Sequence, residues 1–377
     1  MPAETGADPR PAMLRDLLRT DPVGSLLLVK ARLHFLAVAL VCLLLLILLL
    51  TVLPIHWSQL PPDALPRPER FFRTLQGTMM VVAWLVFVPV VWGFYAWQAR
   101  AIVELHVRLQ ACLGTPAPGA SPIRLSPWYL SPLWPVLAAL LGLWEFNRFM
   151  HGHEFTNAGP WVFNSTLALR AAFVLLASLT YYVIVLLVVR QFITTVSINR
   201  IFTRHAVPVR FLHPDECGGF RFLGQHALGI APLIAAAGLN LSLVYVRIIG
   251  GGPLGSDTAI YSLPAVSVLY VAGSILFFTA PLWCAHQEML HARDQWLDDI
   301  ARGFELQQAV VQEQMRNGNP DPDSVAKLEA ARTASDIGRS LPTWPLNVRV
   351  GRQFTVALLS PLVPIGIAGL QQLIGWK

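Results

Sequence analysis

His34–Trp57 reads HFLAVALVCLLLLILLLTVLPIHW. From Phe35 to Leu53 the run carries no charged side chain. An apolar run of about 18 residues or more is long enough to cross the ~30 Å hydrocarbon core of a bilayer. Arg10, Arg15, Arg19, Lys30 and Arg32 precede it, as basic residues precede the core of a signal peptide. The run is longer than the roughly 7–15 residues of such a core, and no small-x-small cleavage site follows it. It reads as an uncleaved signal anchor.

Working outward, six more segments have comparable length and hydropathy. The seven spans expected are about 33–54, 78–98, 128–146, 169–191, 227–249, 264–286 and 354–374. The third is the weakest, because it holds Pro132, Pro135 and Glu145. Composition agrees with a membrane class. The 377 residues are 54% hydrophobic and 13% charged, about half the charge of an ordinary soluble domain. Arg dominates over Lys, as in high-GC bacterial genomes. The fold class expected is therefore all-α, a polytopic transmembrane helical bundle of about seven spans.

Orientation follows from the positive-inside rule. With the N-terminus inside and all seven segments crossing, the inside holds 21 of the 28 Lys and Arg residues. Five precede the first span, three lie in 99–127, five in 190–226 and eight in 287–353. If 128–146 did not cross, the Arg-rich loop 190–226 would lie outside, against the rule. The expected layout is a cytoplasmic segment 1–32, a bundle 33–286 with six spans, a cytoplasmic helical hairpin 287–353, and a last span with the C-terminus outside, 354–377. The location expected is a bacterial inner membrane.

Two helix starts are legible. Asp21-Pro22 and Asp321-Pro322 each pair a capping residue with proline at the first helical position. Trp296, Ile300, Phe304, Val311 and Met315 recur at helical steps, the stripe of an amphipathic helix. No breaker separates this stripe from the sixth span before Gly303, so one long helix is expected to leave the membrane. Asn317–Asp323 (NGNPDPD) ends it, and the next helix carries a weak apolar face of Val325, Leu328 and Ala331. Such a hairpin either links two spans or docks a second copy or a cytoplasmic protein.

The stretch from Gly159-Pro160-Trp161 through Arg210–Gly224 (RFLHPDECGGFRFLG), with Pro342-Thr-Trp-Pro345 later, resembles a family of bacterial multi-pass membrane proteins. These carry an LHPD-x-x-GG-(L/F)-x-FLG loop between two spans and a Pro-x-Trp-Pro segment before the last one. Residues 212–224 match closely and 159–374 loosely. Phe220 stands where Leu is expected, and Asn347 where Asp is expected. No activity is assigned to the family, so the resemblance implies an architecture and no mechanism. His-Pro-Asp also occurs in J-domain co-chaperones. Those need a soluble hairpin with a basic helix before the tripeptide, and here a span and a short Arg-rich loop precede it.

The loop His213, Pro214, Asp215, Glu216, Cys217, Gly218, Gly219 is the densest in chemistry. Its side chains include metal-ligand types, with His226 nine residues beyond Cys217, but they lack the grammar of a zinc site. The glycines can adopt positive φ and make an anion-binding nest. The readings are a tight turn, with Asp215 accepting backbone N–H bonds, or a gating or ligand loop. No metal and no cofactor are expected. His151-Gly-His153-Glu154 is a weak divalent-ion pattern on a loop. Cys42, Cys112, Cys217 and Cys284 have neither metal-ligand spacing nor the look of a disulfide framework.

In the fifth segment His226, Leu233, Asn240 and Arg247 lie seven apart and share a helix face. Asn240 sits near mid-membrane, where polar side chains face the bundle interior or water. This face reads as interhelical hydrogen-bond glue or as the lining of a polar pathway. No Asp, Glu or Lys lies in the middle of a span, which counts against coupled transport of the carboxylate kind. Walker, dinucleotide, GxSxG and HExxH motifs are absent. The first functional expectation is a channel or facilitator for small anions or neutral solutes. The second is a non-conducting scaffold or signalling subunit. The third is a membrane enzyme using His213, Asp215 and Glu216. The partners expected are the lipid bilayer, a second copy of the chain, and a cytoplasmic protein at the hairpin. The net charge of +6 suits anionic lipid, and nucleic acid need not be invoked.

Overall fold

The computed structural model describes residues 8–49, 75–113, 125–151, 167–205, 207–210, 213–215, 217–249, 257–318, 321–346 and 348–359. Among them the regular structure is helical, with no strand. A short helix α1 (Arg10–Leu17) leads to α2 (Pro22–Lys30), which is α-helical to Gly24 and π-helical from Ser25. Helix α3 is Phe35–Ile47. The chain bends by 116° between α2 and α3. Arg32 takes a positive φ of 52° there, uncommon for a non-glycine residue. The Arg100 guanidinium holds the bend by donating to the Leu33 carbonyl at 2.7 Å.

Helix α4 (Leu75–Leu113) is the hub. It packs on α3, on α6 (Leu167–Arg204), on α8 (Ala231–Ile249) and on α1. Pro89 lies inside α4 without ending it. Helix α5 (Leu133–His151) lies along α6. At Gly142 a Cβ would stand only 3.0 Å from the Ser178 carbonyl, so the small residue permits the close approach that membrane helices use. Helix α7 (Arg221–Gly229) precedes α8.

Helix α9 runs without a break from Asp257 to Arg316, 60 residues. The expected long helix is present. Helix α10 (Pro322–Ser340) starts where Asp321-Pro322 placed it, and the Asp321 side chain accepts from the Asp323 N–H at 3.1 Å. It folds back on α9. Gln314 donates to the Ser324 hydroxyl at 3.3 Å and Gln307 to the Ser324 carbonyl at 3.4 Å, while Gly338 meets Leu297. Of the sequence stripe, Val311 is buried and Ile300 and Phe304 are half-buried, whereas Trp296 and Met315 are exposed. Helix α11 (Val348–Leu359) packs on α8.

Among the described residues, four helical segments are long and apolar enough to cross a membrane: Trp84–Leu113, Arg170–Arg204, Arg221–Ser242 and Ala265–Arg316. The bent pair α2–α3 makes a fifth if it counts as one span. The 128–146 segment yields only a shorter apolar helix, Leu133–Asn147, since Pro127–Leu130 forms a separate 3-10 turn. Most of the seventh segment lies outside the described residues. Large apolar side chains face outward on α3, α5 and α9. Leu36 is 62% exposed, Leu143 64% and Leu269 70%. Apolar surface on this scale is a liability in water and carries no penalty against lipid.

Candidate functional site

The most polar point of the interior lies at Asp21, ahead of the first apolar run. Asp21 is 1% exposed and Arg190 6%. Arg190 Nη2 lies 2.5 Å from Asp21 Oδ2. The Tyr95 hydroxyl donates to the same oxygen. The Tyr182 hydroxyl donates to Oδ1 at 2.9 Å, and so does the Gly24 N–H at 3.2 Å. The residue read as a helix cap therefore does cap α2, and it also takes three side-chain donors from α4 and α6. The Arg190 guanidinium carbon sits 5.1 Å from the Tyr95 ring centre. Removing an ion pair from water is expensive, and extra hydrogen bonds of this kind make it tolerable.

This corrects one sequence reading and adds to another. Arg190 was counted with the inside loop 190–226, yet it is buried within α6. The bundle also holds a carboxylate, which a survey of span centres cannot find because Asp21 precedes every span.

A seam of polar side chains continues along α4 and α6. Gln98 Nε2 donates to the Leu187 carbonyl at 3.1 Å and reaches Gln191 Oε1 at 3.5 Å. The Tyr129 hydroxyl donates to Thr194 Oγ1 at 2.8 Å, and Trp92 Nε1 to Thr180 Oγ1 at 3.1 Å. Four buried atoms on this seam have no hydrogen-bond partner in the protein: Arg190 Nη1, Gln98 Oε1, Gln191 Nε2 and Asn199 Oδ1. Buried polar atoms are nearly always satisfied by protein, water or solute. Several on one helix pair therefore mark a place where water or solute belongs.

The His213 loop is built as a turn that opens α7. Asp215 Oδ1 accepts from the Cys217 and Gly219 N–H groups, both at 3.0 Å, and Oδ2 from Arg221 N–H at 3.2 Å. His213 Nδ1 lies 3.0 Å from Oδ1. Burial alone would raise the Asp215 carboxyl. The three backbone donors and His213 outweigh it and hold the group below its ordinary value. Gly218 and Gly219 have φ of 66° and 92°, so both positions use glycine's freedom. Cys217 is buried. Glu216 lies outside the described residues, as do 152–154 of the His151–Glu154 pattern. Among the described residues no three His, Cys, Asp or Glu side chains gather as a metal site would require.

The two motifs that carry the resemblance meet in space. A Cβ on Gly224 would lie 2.5 Å from the Pro345 carbonyl oxygen. Trp344 stacks on His286 of α9 with ring centres 3.9 Å apart, and His286 Nδ1 lies 2.6 Å from the Thr343 carbonyl. The Pro342–Pro345 segment thus bridges α7 and α9.

From His226 to Asn240 the heptad face of the fifth segment lies on one helical span, Arg221–Ser242, made of α7 and the start of α8. The two helices meet at Ile230, whose N–H reaches Ala227 O at 3.2 Å, just before Pro232. On the N-terminal side of this junction His226 is buried and stacked on Trp97 of α4, ring centres 6.0 Å apart. On the far side Asn240 is half-buried. Arg247 falls on the last turn of α8. Ser242 Oγ donates to its own helix, at Leu239 O. The sequence reading pointed to the fifth segment and did not find the polar side chains that α4 and α6 share. Their signal was available in the α6 stretch Thr180–Asn199, where polar residues interrupt an apolar helix. Comparison with protein-family models, with curated proteins and with solved structures returned no match.

Proposed function

We propose that the protein is a transport-class membrane protein, a channel or facilitator for small anions or neutral solutes, with its path along the α4–α6 seam. The observation that carries this reading is the set of unpartnered buried atoms there: Arg190 Nη1, Gln98 Oε1, Gln191 Nε2 and Asn199 Oδ1. The ion pair at Asp21 neutralises the seam's carboxylate, leaving donors such as Arg190 Nη1 to meet an anion or a neutral polar solute. The α2 segment, tied in by Asp21, is the element that closes the path. Asn240 on α8 remains a second lining position. His226 lies off the path on this reading, and Arg247 falls at the outer end of α8.

The arrangement proposed is seven spans with the N-terminus inside and the C-terminus outside, in a bacterial inner membrane. The α9–α10 hairpin is then cytoplasmic. With Arg190 set aside as buried, 20 basic residues inside against seven outside support this orientation.

Purified protein in sealed liposomes should pass small anions or neutral solutes above the empty-vesicle control. Gln98→Leu with Gln191→Leu should reduce the flux in protein that still elutes as folded. Absence of flux across a range of voltage and pH overturns the reading. A second reading, a non-conducting scaffold, then takes its place. The exposed Leu306 (74%) and Met315 (61%) on α9 favour it, since they offer a partner or a second copy an apolar surface.

A further inference from the structure

A groove of about 660 Å³ opens between α1, α4 and α7, away from the α4–α6 seam. One side is basic. Arg10, Arg100 and Arg108 line it around a single carboxylate, Glu104. Glu104 receives Arg108 at 2.7 Å and Arg10 at 3.2 Å. Arg100 spends one nitrogen on the Leu33 carbonyl. Arg10 also lies 3.9 Å from Asp8. Three guanidinium groups carry five donors each, so two carboxylates and one carbonyl still leave donors unspent and the groove net positive.

Most of the remaining lining is apolar, with Pro11, Leu14, Trp97, Ala101 and Phe222, and Gln225 stands among them. Trp97 and Arg108 are eleven residues apart on α4, about 16 Å at the helical rise. The groove therefore grades from charged to greasy over a length that matches a phospholipid's headgroup and upper chains. His226 lines the groove beside Trp97 and is 6% exposed. Its Nε2 has no partner in the protein. A buried imidazole nitrogen without a partner, on a residue that lines a groove, calls for a polar group from the groove's occupant.

We propose that this groove binds one molecule of an anionic phospholipid. The phosphate lies among Arg10, Arg100 and Arg108, a glycerol ester or hydroxyl meets His226 Nε2, and an acyl chain runs over Leu14, Trp97 and Phe222. Free phosphate would satisfy the arginines and leave the apolar wall and His226 unused, so the lipid is the occupant. The site depends on the protein lying in a membrane and not on its conducting.

Native mass spectrometry of the full chain in detergent tests it, with phosphatidylglycerol, phosphatidylcholine and inorganic phosphate as probes. One phosphatidylglycerol should be retained in preference to phosphatidylcholine, and inorganic phosphate should not displace it. Arg10→Gln with Arg108→Gln should weaken retention roughly 30-fold, taking about a factor of five per basic residue. Both side chains are half exposed, so the variant should fold. Glu104→Gln should strengthen retention, and His226→Phe should weaken it while leaving phosphate competition unchanged. Equal retention of phosphatidylcholine, parental affinity in the double arginine variant, or displacement by inorganic phosphate would each overturn the proposal.

Discussion

Replacing Asp21 with alanine removes the partner of a buried guanidinium and leaves the guanidinium in place. Breaking a buried pair this way costs about 3–5 kcal/mol. The cap on α2 adds about 1 kcal/mol, because Gly24 N–H loses its acceptor. Arg190→Met is gentler. It leaves Asp21 with the Tyr95, Tyr182 and Gly24 donors, and about 2–3 kcal/mol is expected. The double variant Asp21→Ala/Arg190→Met removes both charges and keeps packing volume on α6. Its loss should be about 2–3 kcal/mol where the two singles together lose about 6–9, so the two changes couple by about 5 kcal/mol. Unfolding by SDS in mixed micelles, followed by tryptophan fluorescence, measures all four corners of the cycle. If the double variant loses the sum of the two singles, the pair is not a unit and the account of the buried cluster fails.

Other perturbations separate the remaining parts. Asp215→Ala should lower stability by about 1–2 kcal/mol, since three backbone N–H groups of the turn lose their acceptor. The Asp215 pKa is depressed on folding. Its contribution is therefore present above the ordinary carboxylate value near 3.9 and is lost as pH falls through the lower folded value. Asp215→Asn should flatten the acid limb of stability measured below about pH 4. Gly218→Val and Gly219→Val should each lose about 1–3 kcal/mol, while Cys217→Ser and His213→Ala should change unfolding less. A bound metal lost on His213→Ala, found by elemental analysis, would contradict the turn reading. Trp296→Ala with Phe304→Ala should leave membrane insertion intact and change oligomer size or partner pull-down. If both stay the same, the docking role of α9 and α10 is wrong.

How much of this was legible depended on range. Local rules worked at Asp321-Pro322, where cap and proline act within one turn, and along the breaker-free stretch that became α9. They worked at Asp215 because its donors lie within six residues. They failed where the partner is distant. Asp21 reads as a cap because its Gly24 bond is local, while Tyr95, Tyr182 and Arg190 reach it from other helices. Heptad spacing placed His226 and Asn240 on one face, but it does not reveal the partner each meets: His226 is buried against Trp97 of α4, while Asn240 is half-buried. Trp296 and Met315 fit the helical period, yet both stay exposed, even though the Trp296 ring comes up against Gly338 of α10.

The tie between α2 and α6 also bears on the order of assembly. Asp21 and Arg190 are 169 residues apart in the chain. At roughly 5–20 residues per second, a ribosome emits Asp21 some 10–30 s before Arg190 exists. Throughout that interval the carboxylate has no cation to meet and must stay hydrated at the bilayer edge. Only when the helix bearing Arg190 and Tyr182 has been inserted, beside the one bearing Tyr95, can the amino-terminal segment leave water and dock. The ion pair thus acts as a late fastening, and a chain stalled before Arg190 would keep its first thirty residues loose and open to a protease.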